Sequence, residues 1–213
     1  MDWRMSTAVA LLPISTADQR RSDSLRALRT EILLRRETPQ RADLVAIVSA
    51  SSAEGRSTLA AELAIAFAEA GHSTLLVDAD LRRPSQHQLF DLPNRQGLAQ
   101  LLMFGERPLL HTPGCLPSLA VMTAGDRPTR PLDLLSHPHF AEAMSAWRDE
   151  YRIVVIDTPA LAKWPDGAAI ANVAGRTLMA TRSGHTRYSD LRTALRRLAP
   201  TRSRVMGAVI NHF

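Results

Sequence analysis

The sequence holds a single cysteine, Cys115, among 213 residues. That excludes an internal disulfide framework and a cysteine-built metal cluster, and it fits a reducing cytosol. No stretch approaches the roughly 20 apolar residues needed to cross a membrane. The apolar run Ala8–Ile14 is short, broken by Pro13 and followed by no cleavage signal, which argues against a secretory peptide. The chain therefore reads as soluble and intracellular. Internal repeats at solenoid periods and low-complexity linkers are missing as well. Lysine is almost absent: of 26 basic residues Lys163 alone is lysine and the other 25 are arginine. The arginines are spread along the chain without a dense tail, so the net charge of +5 is read as a solvated surface in preference to a nucleic-acid-binding one. The seven histidines, His137 and His139 beside Pro138 among them, form no clear ligand set; they read as loop histidines, and a metalloenzyme is weakly supported.

What is present is ordinary for a globular chain. Hydrophobic residues make up 45% and charged residues 22%, enough for one domain with a sizeable core. Residues 1–21 lack a sustained period and read as a loose arm, leaving 22–213 as the domain. From Ser22 onward Leu25, Leu28 and Ile32 recur at helical spacing among Arg26, Arg29, Arg35 and Arg36. This predicts an amphipathic helix over about Asp23–Arg36, ending before Pro39. Beyond it, short apolar runs of strand length follow one another: Leu44–Val48, Thr74–Val77, Leu119–Met122, Ile153–Ile156, Thr177–Ala180 and Val205–Ile210. Helical stretches lie at Ser57–Ala70, stopped by Gly71, and at Ser189–Leu198. Continuous apolar runs alternating with helices indicate a parallel sheet covered on both faces, a three-layer α/β domain.

In such sheets ligands bind beyond the carboxyl ends of the strands, and three strands deliver polar clusters there. Ala50-Ser51-Ser52-Ala53-Glu54-Gly55-Arg56-Ser57-Thr58 lies between a strand and a helix, where backbone N–H groups would face phosphate oxygens and Ser57 would offer a hydroxyl to Mg²⁺. Against the strict phosphate-loop pattern, Ala50 stands for the first glycine and Arg56 for the lysine, so a small-residue helix cap explains the segment narrowly better on its own. Asp78-Ala79-Asp80-Leu81-Arg82-Arg83-Pro84 suits a metal-bound phosphate or a solvated strand-end turn. Asp157, closing the apolar strand Ile153–Ile156, suits a carboxylate held near Mg²⁺ or a helix cap. Three ordinary explanations holding together, in this order, is much less probable than one nucleotide site.

The same residues resemble the bacterial tyrosine kinases of exopolysaccharide and capsule synthesis, within the deviant P-loop ATPases that include septum-site and partition ATPases. The resemblance runs from about Asp23 to Asn211. Ser49–Thr58 follows the family's S-A-x-P-G-E-G-K-S-T loop with Ser52 for Pro, Ala53 for Gly and Arg56 for Lys. Leu75–Pro84 matches the second Walker A-like motif, and His87–Phe90, Asn94 and Gly97-Leu98 continue the match. Ile156–Pro159 matches the Walker B, and Asp166 falls where the family carries an acid. The resemblance implies a three-layer α/β/α P-loop NTPase fold with a mostly parallel sheet, and ATP and Mg²⁺ as cofactors. It implies a nucleotide site of Ser52, Ala53, Glu54, Gly55, Arg56, Ser57, Thr58 and, at the adenine, Asn211. It assigns catalysis to Arg56, Asp78, Asp80 and Asp157, and the metal to Ser57, Asp78 and Asp157. Asp23-x-x-Arg26-x-x-Arg29 resembles the E-x-x-R-x-x-R motif that packs neighbouring kinases into a ring, making 22–36 an oligomerisation helix.

Two departures matter. The only tyrosines are Tyr151, ahead of a core strand, and Tyr188, opening a helix, so the family's tyrosine-cluster tail phosphorylation is not expected. Arg56 is bulkier and planar where the family has a compact ammonium, and Ala53 puts a Cβ where a loop needing positive φ prefers glycine. The function implied is an ATP–Mg²⁺ protein tyrosine autokinase acting on polysaccharide polymerisation, chain length and export. Its implied partner is the cytoplasmic tail of an inner-membrane polysaccharide co-polymerase, with the chain at the membrane only through that partner, homo-oligomeric and without nucleic acid. The alternatives are a nucleotide-gated assembly factor with little kinase activity and a partition-type ATPase.

Overall fold

In the computed structural model residues 19–36 and 42–212 are described; the arm expected at 1–21 lies outside them up to residue 18. The elements are α1 (Gln19–Leu34), β1 (Asp43–Ser49), α2 (Arg56–Glu69), β2 (Thr74–Asp78), α3 (Gln86–Leu89), α4 (Leu98–Phe104), β3 (Leu110–His111), β4 (Leu119–Met122), α5 (Pro131–Ser136), α6 (Pro138–Glu150), β5 (Ile153–Asp157), α7 (Asp166–Ala174), β6 (Arg176–Arg182), α8 (Tyr188–Leu198) and β7 (Arg204–Asn211). The strands form one sheet in the order β3-β4-β2-β5-β1-β6-β7. All neighbours are parallel except the β3–β4 pair at one edge.

Every residue of β1, β2 and β5 is buried, as strands covered on both faces must be. Alternate residues serve opposite layers. Val45, Ile47, Leu76 and Val155 pack with α1 and α2 on one face. Ala46, Val48, Val77, Val154 and Ile156 pack with the helices from α4 to α8 on the other. The α2 helix is buried without interruption from Leu59 to Ala68, so its alanine-rich sequence shows no polar stripe. The domain is thus the three-layer α/β/α sandwich implied by the sequence.

The differences are local. The α1 helix begins at Gln19 and ends at Leu34, earlier at both ends than the apolar period indicates. Its first turn is held by charge: Arg21 makes two hydrogen bonds of 2.7 Å to the Glu62 carboxylate of α2. The helices from α3 to α7 and the two-residue β3 carry no strong period. Both α5 and α6 start on proline, at Pro131 and Pro138, where the missing N–H costs nothing. His137 lies, as expected, outside the helices, in the bend between α5 and α6, where it caps α6 by accepting the His139 N–H at 3.3 Å, whereas His139 lies within α6 and not in a loop.

Candidate active site

Parallel register sets the site's base. Asp78 and Asp157, the last residues of β2 and β5, sit directly opposite each other, and Asp157 is also next to β1, paired there with Ile47. The chain leaving β1 passes over these carboxylates as the loop from Ala50 to Gly55. The loop is folded by its own side chains and by the strands beside it. The Ser51 N–H donates to Glu54 Oε2 at 2.8 Å, and Thr186 Oγ1 donates to Glu54 Oε1 at 2.5 Å. Asn211 Nδ2 donates to the Glu54 carbonyl at 2.8 Å. Ala53 and Gly55 both take positive φ, 61° and 77°. Glycine does this freely and alanine at a cost of roughly 1 kcal/mol, so the loop adopts its turn despite the Cβ. The first N–H groups of α2, beginning at Arg56, have no intrahelical acceptor and face the loop's mouth.

Arg56 is the centre of the polar network. Its Nε donates to Asp157 Oδ1 at 3.2 Å, Nη1 to Ser49 Oγ at 2.8 Å and Nη2 to Asp80 Oδ2 at 3.1 Å. The three carboxylates Asp78, Asp80 and Asp157 are all buried. Asp78 accepts the N–H groups of Asp80, Ser85 and Gln86. Burial, and then the charge of Asp157, hold its carboxyl well above the ordinary range. Asp157 is raised too, by burial, against the opposing pull of Arg56 and hydrogen bonds from Ser57 and Gln86. Asp80 Oδ1 caps the next turn by accepting the Arg82 and Arg83 N–H groups at 3.2 and 2.9 Å.

A cavity of about 360 Å³ opens above this network, lined by Ser52, Ala53, Arg56 and Ser57 from the loop, Asp80, Arg82, Arg83 and Ser85 beyond β2, and Pro159, Ala160, Lys163 and Trp164 beyond β5. The Ser57 hydroxyl with the Asp80 and Asp157 carboxylates offers hard oxygen donors that suit a divalent cation, and buried Ser85 Oγ and Gln86 Oε1 lack a hydrogen-bond partner, as atoms awaiting water or ligand do. No three acidic, histidine or cysteine side chains among the described residues converge to cage an ion. The fit is therefore to Mg²⁺ held by Ser57, water and phosphate, its usual manner of binding.

Of the residues assigned from sequence, Ser52, Ala53, Arg56, Ser57 and Asp80 line the cavity, and Asp78 and Asp157 are fully buried beside it. Glu54, Gly55 and Thr58 shape the loop and first helical turn without lining it. Asn211 braces the loop and lines a separate groove of about 580 Å³ between α1, α2 and β7. Asp23 and Arg26 pair with each other at 3.4 Å on the exposed face of α1. Arg29 turns inward, donating to the Ala66 carbonyl of α2 at 3.0 Å. Two residues escaped the sequence reading. Gln86 donates to both the Ser57 carbonyl and Asp157, at 3.0 and 2.8 Å, and Ser49 holds Arg56. Gln86 has no sequence signal beyond its place after LLVDADLRRP, whereas Ser49 opens the loop match Ser49–Thr58 and was given no role there.

The chain was compared with known proteins. Residues 45–213 match the CobQ/CobB/MinD/ParA nucleotide binding domain. Over 194 residues the chain is 30% identical to the putative tyrosine-protein kinase CapB of Staphylococcus aureus, covering 89% of this chain and 83% of that one. Over 191 residues it is 34% identical to the tyrosine-protein kinase YwqD of Bacillus subtilis (strain 168), covering 89% and 80%. Among solved structures, the kinase domain of the Escherichia coli tyrosine kinase ETK superposes with a TM-score of 0.83 at 26% identity, covering 90% of this chain and 75% of that one.

Proposed function

The chain belongs to the CobQ/CobB/MinD/ParA nucleotide-binding family, among its bacterial tyrosine-protein kinases, and from that premise we propose that it moves the terminal phosphoryl group of ATP to a tyrosine hydroxyl at the cavity above Arg56. The observation that carries the reading is the network joining Arg56 to Asp157 and Asp80 at the carboxyl edge of β2, β5 and β1. Bound Mg²⁺–ATP supplies the activated phosphoryl group and the charge that screens it. The protein's part is placement and electrostatics. The loop N–H groups bind phosphate oxygens, Ser57 and Asp157 orient the cation and its water, and Arg56 balances developing charge.

Asp80 takes the role of base. It lines the cavity, whereas Asp78 is fully buried under three backbone N–H groups and serves to fix the turn. The acceptor proton therefore goes to Asp80 as the new P–O bond forms and the bond to ADP breaks. The physiological setting that suits this activity is capsule or exopolysaccharide synthesis, with the cytoplasmic tail of a membrane co-polymerase as partner and with self-association through α1. No helix among the described residues is long and apolar enough to cross a membrane.

A second reading, a nucleotide-gated assembly factor with little transfer, is favoured by one feature: all the nitrogens of Arg56 are already engaged by Asp157, Ser49 and Asp80. Incubation of the full chain with Mg²⁺ and γ-labelled ATP, with and without a tyrosine peptide, separates the two. Label in the peptide supports the kinase. Nucleotide binding by calorimetry with no label in peptide or protein supports the assembly factor. Self-labelling, where it occurs, is expected at Tyr188, which is 79% exposed, and not at Tyr151, which packs against the core.

A further inference from the structure

The loop from Thr158 to Pro165 carries the chain's only lysine to the rim of the phosphate cavity, and it is held there from both sides. Ahead of Lys163, the Leu161 and Ala162 N–H groups donate to the Ser49 and Ala50 carbonyls, both at 2.9 Å, tying this loop to the start of the phosphate loop. The guanidinium of Arg197 also binds the Leu161 carbonyl. Behind Lys163, the Trp164 ring lies under the Arg82 guanidinium, 3.8 Å from its centroid. Arg82 in turn grips buried Asp166 with two hydrogen bonds of 2.9 and 3.2 Å. Lys163 thus stands between anchored neighbours with its own side chain exposed. Its ammonium makes no ion pair or hydrogen bond among the described residues.

Of the other cations around the cavity, two are committed, and Arg83 lies exposed at the rim beyond β2. Arg56 is spent on two aspartates and a serine, and Arg82 on Asp166. A nucleotide triphosphate entering this space meets, at the phosphate loop itself, an Arg56 guanidinium shared among carboxylates, while the exposed Arg83 and Lys163 stand at the rim on the loops after β2 and β5. We propose that Lys163 is a phosphate-binding residue of this site, supplying from the loop after β5 the compact ammonium that Arg56 does not provide from the phosphate loop. An ammonium is a point charge on a flexible stem with three donors, so it follows the terminal phosphoryl oxygens as the group moves. This rests on the kinase reading and assigns it a further residue.

Because Lys163 is the only lysine, an amine-reactive reagent such as trinitrobenzenesulfonate labels one side chain, and peptide mass spectrometry separates it from the terminal amine. With the full chain, a saturating non-hydrolysable ATP analogue and Mg²⁺ should slow labelling of Lys163 by about tenfold or more, ADP should slow it less, and the terminal amine should be unaffected. Lys163→Met should lower transfer to a tyrosine peptide on the order of 10²-fold while leaving ADP affinity near that of the parent chain, and Lys163→Arg should restore part of it. Unchanged labelling under an analogue shown by calorimetry to be bound overturns the assignment and leaves the kinase reading standing. Full transfer by Lys163→Met does the same. Absence of any nucleotide binding sinks both together.

Discussion

The two flanks of the phosphate loop are built from the same arginine-rich sequence in different ways. Toward β5 and β2, charged side chains meet one another: Arg56 with Asp157 and Asp80, Arg82 with Asp166, all inside or at the edge of the core. Toward α1 and β7, arginines meet carboxylates, as Arg176 and Arg36 meet Asp43, and main chain as well. Arg29 donates to the Ala66 carbonyl, Arg35 to that of Met206, and Arg176 to those of Ile32 and Arg35. The first flank demands particular residues, because a buried charge without its partner is strongly destabilising. The main-chain contacts of the second demand only a long donor, since every residue carries a carbonyl. Chemistry is therefore expected to concentrate on the first flank and assembly on the second.

The largest effect expected from breaking this contrast is at Asp157. Asp157→Ala strips Arg56 and Gln86 of a shared acceptor, and transfer to a tyrosine peptide should fall by at least about 10²-fold. Arg35→Ala on the other flank loses two exposed contacts, to the Met206 carbonyl and to Glu31, and should leave transfer unchanged. Equal losses from both would mean that the flanks are one unit, and the comparison would fail.

Next in size is a side-chain pair of the second flank, between α1 and α2. Arg21 holds Glu62 at 2.7 Å, with the Glu62 side chain 12% exposed and Arg21 34%. Arg21→Ala leaves that carboxylate half-sheltered without its cation and should cost about 1–2 kcal/mol in denaturant unfolding. Amide exchange in α1 should quicken while β1 and β5 keep their protection. Uniform loss of protection would contradict a separately held helix.

How much of this was legible in the sequence follows the same division. Leu119–Met122 is a strand with the predicted limits, and β1, β2 and β5 differ from prediction by one residue at an end or at both. They are continuous apolar runs because both of their faces are covered. The helices from α3 to α7 were missed: α3 and α4 are short, α5 and α6 each open on a proline, and α7 is short and rich in alanine. At the site, Arg56, Asp80 and Asp157 were identifiable because motif spacing and strand ends place them. Gln86 was not, since an amide reaching across 71 positions to Asp157 leaves no periodic trace. The spacing of Asp23, Arg26 and Arg29 predicted one shared face, but α2 draws Arg29 inward, an effect of packing that no single helix encodes.

A smaller effect sharpens the electrostatic side of the contrast. Burial and the neighbouring Asp157 raise Asp78 well above the ordinary carboxylate range. Its carboxyl thus stays protonated in the fold at pH values where the unfolded chain has ionised. The contribution to stability is whole below the ordinary range near about 4 and is lost as pH rises through the raised value. Asp78→Asn cannot ionise, so its stability relative to the parent chain should improve steadily from about pH 4 upward. A difference between the two that does not change with pH would place a charged Asp78 in the fold.

The smallest expected effect concerns the loop that divides the two flanks. Ala53 sits at φ 61°, a left-handed conformation that alanine adopts at a cost. Two forces could impose it: the loop's own sequence, or the bonds that clamp it from outside. Glycine at this position would be the local solution, and it is absent. What remains is the clamp, with Glu54 accepting from Ser51 and Thr186 while its carbonyl accepts from Asn211. Ala53→Gly should then stabilise the chain by about 0.5–1 kcal/mol, the relief of strain exceeding the added freedom of the unfolded state. It should do so without tightening nucleotide binding, because the turn is already formed. A gain in affinity larger than the gain in stability would instead mean that Ala53 holds the loop away from its binding shape, and that the clamp through β6 and β7 is incomplete until nucleotide arrives.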